Sequence, residues 1–203
     1  LVACPRDIED IKTIVRTVTA RQEFSPRPSL TARAAGTGMA GGALTESIVL
    51  NMKNLNVVKG VANDCVVTEP GVYYRDLEKA TLAHGLLMPS YPASKMLCAV
   101  GGMVGTNASG EKTLNYGSTD RYVRNLKVVL ADGNEYSFGQ LSKDELNKKM
   151  TLSTFEGEVY RKMYDLLEKN YDLIKKSKPH VSKNCAGYAL WNIWDRKTFD
   201  LTK

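Results

Sequence analysis

Cysteine and histidine are too few and too scattered in this chain to build a metal centre. Cys4, Cys65, Cys98 and Cys185 form no CxxC pair, and neither His84 nor His180 stands at ligand spacing from one. Zinc and iron–sulfur ligation within the chain are therefore set aside. Cys65 and Cys98 sit in apolar runs and read as buried thiols, so nothing demands an oxidising compartment. No apolar run approaches the roughly 18 residues of a membrane-spanning helix. No signal peptide is visible, although the chain starts at Leu1 rather than Met. The expected location is the cytoplasm, with peripheral membrane contact left open. Repeats and low-complexity linkers are absent too. The basic run Lys175-Lys176-Ser177-Lys178 lacks interleaved aromatics, so it reads as a loop or helix end and not as a nucleic-acid contact.

What is present is the composition of an ordinary globular protein. The 203 residues are 43% hydrophobic and 25% charged, enough for one large domain or two small ones. A formal net charge of +6 suits an anionic ligand. The most informative stretch is Arg33-Ala34-Ala35-Gly36-Thr37-Gly38-Met39-Ala40-Gly41-Gly42, which follows a strand-like run from Ser29. Glycines let backbone N–H groups approach a ligand, and a row of such groups makes an anion-binding concavity.

Two familiar phosphate motifs fail here. Gly36, Gly38 and Gly41 spell GxGxxG, but that pattern needs a following helix and an acidic residue about 20 positions on. The next apolar run, Ile48-Val49-Leu50, starts too soon for the usual crossover, and Lys53 to Lys59 holds no Asp or Glu. Gly105 to Thr113 resembles GxxxxGK[ST], but Glu111 breaks the spacing and brings a carboxylate towards phosphates. Asn107-Ala108-Ser109 is also a glycosylation sequon, relevant only in a secreted protein.

Periodicity predicts helices over 7–22, Tyr74 to His84 and Glu156 to Leu173. Strands are expected over 29–34, 47–52, 55–60, Val66 to Glu69, Val123 to Ala131 and Asn134 to Phe138, with Asp132-Gly133 as a hairpin turn. Leu87 to Gly117 reads as an irregular stretch, the kind of segment that serves a ligand. His84 reads as a helix C-cap and His180 as a loop residue. Tyr73, Tyr74, Tyr91 and Tyr116, and the glycines at 101, 102 and 105, have packing explanations as well as ligand ones. Arg33 fits an anion contact and a strand-end salt bridge equally.

Four elements stand in order: RAAGTGMAGG at 33–42, PSYPAS at 89–94, GGMVGTNASG at 101–110 and NYGSTDRYVRNLKVVLADG at 115–133. Each is weak alone. Together they resemble the FAD-linked oxidases of the vanillyl-alcohol-oxidase type, with a PCMH-type FAD-binding domain. The chain looks most like the D-lactate, glycolate and D-2-hydroxyglutarate dehydrogenase branch.

The resemblance implies an α+β fold of two α/β subdomains, residues 1–61 and 62–203, with FAD between them. It implies that Ala35, Gly36, Thr37, Gly38, Gly41 and Gly42 cradle the pyrophosphate, with Arg33 beside them. Pro92, Ala93, Ser94, Gly101 and Gly102 would line the cofactor channel. Thr106, Asn107 and Gly110 would meet the flavin or ribityl, and Tyr116-Gly117 would close that side. Some relatives carry a covalently attached histidine where Thr37 or Gly38 stands, so noncovalent FAD is expected.

Cys185 to Leu190 is similar to a glycine-tyrosine element of the family. A GSEGTLG-type run and a substrate cap domain are missing, so no catalytic residue is assigned and this stretch alone is expected to lack turnover. The implied reaction takes a hydride from C2 of a small D-2-hydroxy acid to flavin N5. The electron acceptor is open among quinone, cytochrome, electron-transfer flavoprotein and oxygen. An alkyl-transferring ether-lipid synthase and a flavin-binding subunit without its own catalysis are the alternatives.

Overall fold

The computed structural model describes residues 1–21, 23–181, 183–184 and 186–203. The chain divides into two compact units, Leu1–Tyr122 and Val123–Lys203.

In the first unit, Asp7 caps helix α1 (Ile8–Ala20) by accepting from the Asp10 amide, and Arg6 pairs with Asp10 at 3.0 Å. The predicted helix reached Gln22, which lies outside the described residues. Strands β1 (Val2–Ala3), β2 (Leu30–Arg33) and β3 (Ile48–Asn51) form a sheet with β3 central. All of its pairings are parallel. The run at 48–50, read as too close for a crossover, thus does pair parallel to β2. The connection, residues 34–47, is the glycine loop and carries no helix. The dinucleotide fingerprint therefore lacks its structural context.

Strands β4 (Val58–Ala62) and β5 (Cys65–Thr68) form an antiparallel hairpin that spans residue 61. Asn63 and Asp64 turn it with φ of 49° and 59°, the geometry of a type I′ turn. Cys65 is only half-buried there, whereas Cys98 is buried.

Helix α2 (Tyr74–Leu82) buries Tyr74, Leu77 and Thr81. It stops at Gly85 (φ 69°), where the Leu86 amide returns to the Thr81 carbonyl. His84 Nδ1 lies 3.1 Å from the Ala80 carbonyl, as a C-terminal cap should. The stretch expected to be irregular contains two short helices, α3 (Val100–Gly105) and α4 (Thr113–Tyr116). Val72, Tyr74, Leu77, Tyr91, Cys98 and Met103 form the core around them.

The second unit is a meander of β6 (Asn125–Val129), β7 (Glu135–Ser142) and, after four helices, β8 (Thr198–Asp200). Gly133 takes φ of 73° in the predicted Asp132-Gly133 turn. Strand β7 runs past Phe138 because its second half pairs with β8. Helix α5 (Lys143–Met150), absent from the periodicity reading, is nucleated by a capping box between Ser142 and Glu145.

The long predicted helix is two, α6 (Phe155–Lys169) and α7 (Tyr171–Lys176). Asn170 breaks it: its side-chain amide donates to the Leu166 carbonyl at 2.8 Å. Lys175-Lys176 end α7, as read. A short α8 (Leu190–Ile193) precedes β8. Phe138, Leu146, Tyr160, Leu167, Ile193, Trp194 and Phe199 form this unit's core.

Two variants test this account of the second core. The Tyr160 hydroxyl is buried with no hydrogen-bond partner among the described residues, and burial pushes its pKa up to about 12. Tyr160→Phe should leave thermal stability unchanged or raise it, while Leu167→Ala should cost about 2–5 kcal/mol. A chemical denaturation series decides.

The capping box makes a second prediction, about pH. The Ser142 amide and hydroxyl hold the Glu145 carboxylate below its ordinary range. Its stabilisation is present above the unfolded pKa, near ~4.3, and is lost as pH falls through the lower folded value. The melting deficit of Glu145→Ala at neutral pH should therefore narrow in acid.

Candidate functional site

The glycine loop is built to leave donors free. Among the described residues, the amides of Gly36, Thr37, Gly38, Met39 and Ala40 find no protein acceptor. Residues 36–40 are all exposed, the Thr37 hydroxyl among them. Gly38 and Gly42 have nothing within 4 Å of where a Cβ would stand. No neighbour among the described residues requires these two to be glycine, but a ligand lying against the backbone would.

Gly36 differs. Its φ is 71°, and a Cβ there would overlap the Arg33 guanidinium, which lies across the turn. Arg33 makes no ion pair among the described residues. Its salt-bridge explanation therefore falls away, and a cation is left beside the free amides. This arrangement can bind a phosphate or pyrophosphate.

One of the other segments reaches the root of this loop, and the rest are held by contacts among themselves. A Cβ on Gly102, in the first turn of α3, would stand 3.7 Å from the Ala34 Cβ, so α3 starts beside the root of the glycine loop. Gly101 is packed on Pro70, and a Cβ at Gly101 would stand only 2.6 Å from that of the proline. Its amide donates to the Pro70 carbonyl at 2.9 Å. Gly105 at the end of α3 faces open space. Thr106 donates its hydroxyl back to the Gly102 carbonyl at 2.8 Å.

Asn107 takes φ of 45°, and its Oδ1 accepts from the Asp120 amide at 2.9 Å. Gly110 lies directly under the Tyr91 carbonyl, where any Cβ would overlap it, and its amide donates to Thr113 Oγ1 at 2.7 Å. Asn107 and Gly110, read from sequence as flavin contacts, also carry internal architecture.

Pro92, Ala93 and Ser94 form a turn whose Ser94 carbonyl accepts from the Leu97 and Cys98 amides. Tyr116 is exposed, and its carbonyl accepts from the Tyr122 hydroxyl at 2.8 Å. Gly117 takes φ of 78° beneath the Arg121 side chain.

Of the tyrosines with packing explanations, Tyr74 and Tyr91 are core residues with ring centroids 5.2 Å apart. Tyr73 and Tyr116 are exposed. Burial raises the Tyr74 phenol, whose hydroxyl donates to the Met88 carbonyl, and likewise raises the Cys98 thiol. Both stay protonated and are structural. Among the described residues no group of His, Cys, Asp and Glu is placed to hold a metal ion, and no helix is long and apolar enough to cross a membrane. Cys185, in the expected glycine-tyrosine element, lies outside the described residues.

Comparison with known proteins agrees with this geometry. The FAD binding domain family matches residues 1–139. The chain belongs to this family of FAD-binding domains, and its cofactor is FAD. It is 34% identical to D-lactate dehydrogenase of Archaeoglobus fulgidus over 68% of the chain and 31% of that protein. It is 28% identical to D-2-hydroxyglutarate dehydrogenase of Pseudomonas putida over 95% of the chain and 19% of that protein.

The chain thus spans from about a fifth to a third of these relatives' length. Among solved structures, 6-hydroxy-D-nicotine oxidase from Arthrobacter nicotinovorans superposes with a TM-score of 0.57 at 20% identity, over 68% of this chain and 29% of that one. Chitooligosaccharide oxidase gives 0.58 at 15% identity, over 73% and 30%. These structures share the fold, the α+β PCMH type read from the sequence.

The glycines separate in a testable way. Gly110→Ala must push the Tyr91 backbone away and should lower the melting temperature of the FAD-free chain. Gly42→Ala meets nothing and should leave it unchanged. Differential scanning fluorimetry of both variants reads the contrast.

Proposed function

We propose that this chain is the FAD-binding portion of a flavin-dependent oxidoreductase that oxidises a small D-2-hydroxy acid of the lactate or glycolate class. The observation that carries the reading is the glycine loop: among the described residues, five amides without protein acceptors, two glycines with open space before them, and an Arg33 without an ion pair alongside. Relatives named for D-lactate and D-2-hydroxyglutarate support the substrate class.

In this reading the amides of residues 36–40 and the Thr37 hydroxyl bind the pyrophosphate, and Arg33 supplies charge. Pro92, Ala93 and Ser94 line the channel together with Gly101 and Gly102. Thr106 and the Tyr116-Gly117 corner bound the flavin side, with Asn107 and Gly110 shaping the backbone between. The proposed subdomains remain residues 1–61 and 62–203. The loop carries Thr37 and Gly38 where some relatives have the histidine that attaches FAD, which supports noncovalent binding. FAD, when bound, supplies the redox chemistry by accepting a hydride from the substrate's C2. This chain's own residues bind and orient the cofactor.

A second reading keeps the fold and changes the reaction. Alkyldihydroxyacetonephosphate synthase superposes with a TM-score of 0.57 at 17% identity, covering 68% of this chain and 28% of that one. The gene product purified from its native cells distinguishes the two. Anaerobic addition of D-lactate, glycolate and D-2-hydroxyglutarate should bleach the visible flavin band with at least one of them. A flavin band that none of the acids bleaches would overturn the oxidoreductase reading in favour of group transfer or a subunit without catalysis.

The cofactor assignment has its own test in the 203-residue chain. Gly38→Ala and Gly42→Ala should weaken FAD binding by about tenfold or more, roughly 1.4 kcal/mol, without lowering the melting temperature of the FAD-free protein. Quenching of flavin fluorescence measures the binding. Unchanged affinity in both variants would remove the loop from the site.

A further inference from the structure

The peptide between α3 and α4 has no regular secondary structure over residues 107–111, yet it holds a left-handed Asn107. What fixes it is concentrated on one oxygen. The Ala108 carbonyl accepts from the Thr119 hydroxyl at 2.7 Å, the Thr119 amide at 3.1 Å and the Ser90 hydroxyl at 3.1 Å. The two hydroxyls lie 3.5 Å from each other. Ser90 is 1% exposed and Thr119 fully buried, so neither has water as an alternative partner. One residue back, Asn107 Oδ1 takes the Asp120 amide, and the Ala108 amide donates to the Met103 carbonyl at 2.8 Å.

The position of the donors matters as much as their number. Ser90 immediately precedes the Tyr91 to Ser94 turn. Thr119 follows the Tyr116-Gly117 corner by two residues. Ala108 lies between Thr106-Asn107 and Gly110. Three segments, all assigned to the cofactor by the same family resemblance, are therefore joined at a single carbonyl.

A carbonyl oxygen offers two lone pairs, so three donors exceed what satisfaction requires. Removing one hydroxyl leaves the acceptor paired but frees its direction. The excess makes sense as orientation rather than as rescue of a buried acceptor.

We propose that Ser90 and Thr119 are positioning residues that set the 106–110 strap against the 91–94 turn and so shape the FAD site; the functional part of this inference rests on the FAD reading above. The clamp is made entirely of this chain's own groups.

Three variants of the 203-residue chain test it. Thr119→Val keeps the shape and removes the hydroxyl, Thr119→Ser keeps the hydroxyl, and Ser90→Ala removes the other donor. Two readouts are taken: the FAD dissociation constant by fluorescence quenching, and amide hydrogen exchange of the FAD-free protein. Thr119→Val and Ser90→Ala should each raise the dissociation constant by about fivefold or more, while Thr119→Ser stays within about twofold of wild type.

Exchange at the Ala108 and Asp120 amides should quicken in Thr119→Val and not in Thr119→Ser. A merely space-filling role would leave Thr119→Val at wild-type values, and equal defects in the Ser and Val variants would exclude the hydroxyl; either result overturns the proposal. If Thr119→Val does not fold, Ser90→Ala decides by the same criteria. If the wild-type chain binds no FAD, the functional reading fails. The exchange data then judge the clamp alone, and unchanged protection in the variants overturns it.

Discussion

Backbone meeting backbone, with no side chain between, is the constraint on which the first unit depends. Gly71 sits where a methyl group would overlap the Met52 carbonyl, Gly101 where it would press on Pro70, and Gly110 where it would overlap Tyr91. These contacts run in series from the turn after the parallel sheet, through the start of α3, to the segment that precedes Pro92. Each brings chain segments closer than a pair of side chains allows. Core packing around Tyr74, Leu77 and Met103 then fills the space behind them.

The same residue type serves a second purpose in the loop after β2. There the chain meets nothing of its own, and the absence of Cβ atoms at Gly38 and Gly42 keeps a surface of amides accessible. Arg33 ties the two uses together, since the missing Cβ of Gly36 is what lets its guanidinium lie across the turn. The site is thus a boundary between glycines that the protein fills and glycines that it leaves open. A formal charge of +6 for the chain acts in the same direction for a dianionic pyrophosphate.

Much of this was legible in the sequence. Helical periodicity located α1, α2 and α6, and the Asp132-Gly133 turn located the β6–β7 hairpin. The order of four short elements pointed to the family, which matches over residues 1–139. The failures have physical causes. The parallel pairing of β2 with β3 departs from the usual rule, in which a helix fills such a crossover; here the helix-free glycine loop takes its place. Helix α5 was overlooked although Ser142 and Glu145 spell its capping box, since only Leu146 of its residues is buried and the apolar period is weak. Asn170 splits a helix through a side-chain bond that periodicity does not register. Ser90 and Thr119 lie within two of the recognised motifs, and only three-dimensional contact reveals that both reach the Ala108 carbonyl.

Every residue assigned to the cofactor lies in the first compact unit, between Arg33 and Gly117, and the last tie to it comes from Thr119 and Asp120. Synthesis runs from the N-terminus, and domains fold as units as they emerge. The residues proposed for the cofactor have therefore all been made once the chain has passed Tyr122, before the second unit follows. On the proposed reading, a nascent chain of that length already exposes the glycine loop and Arg33 to an anionic ligand.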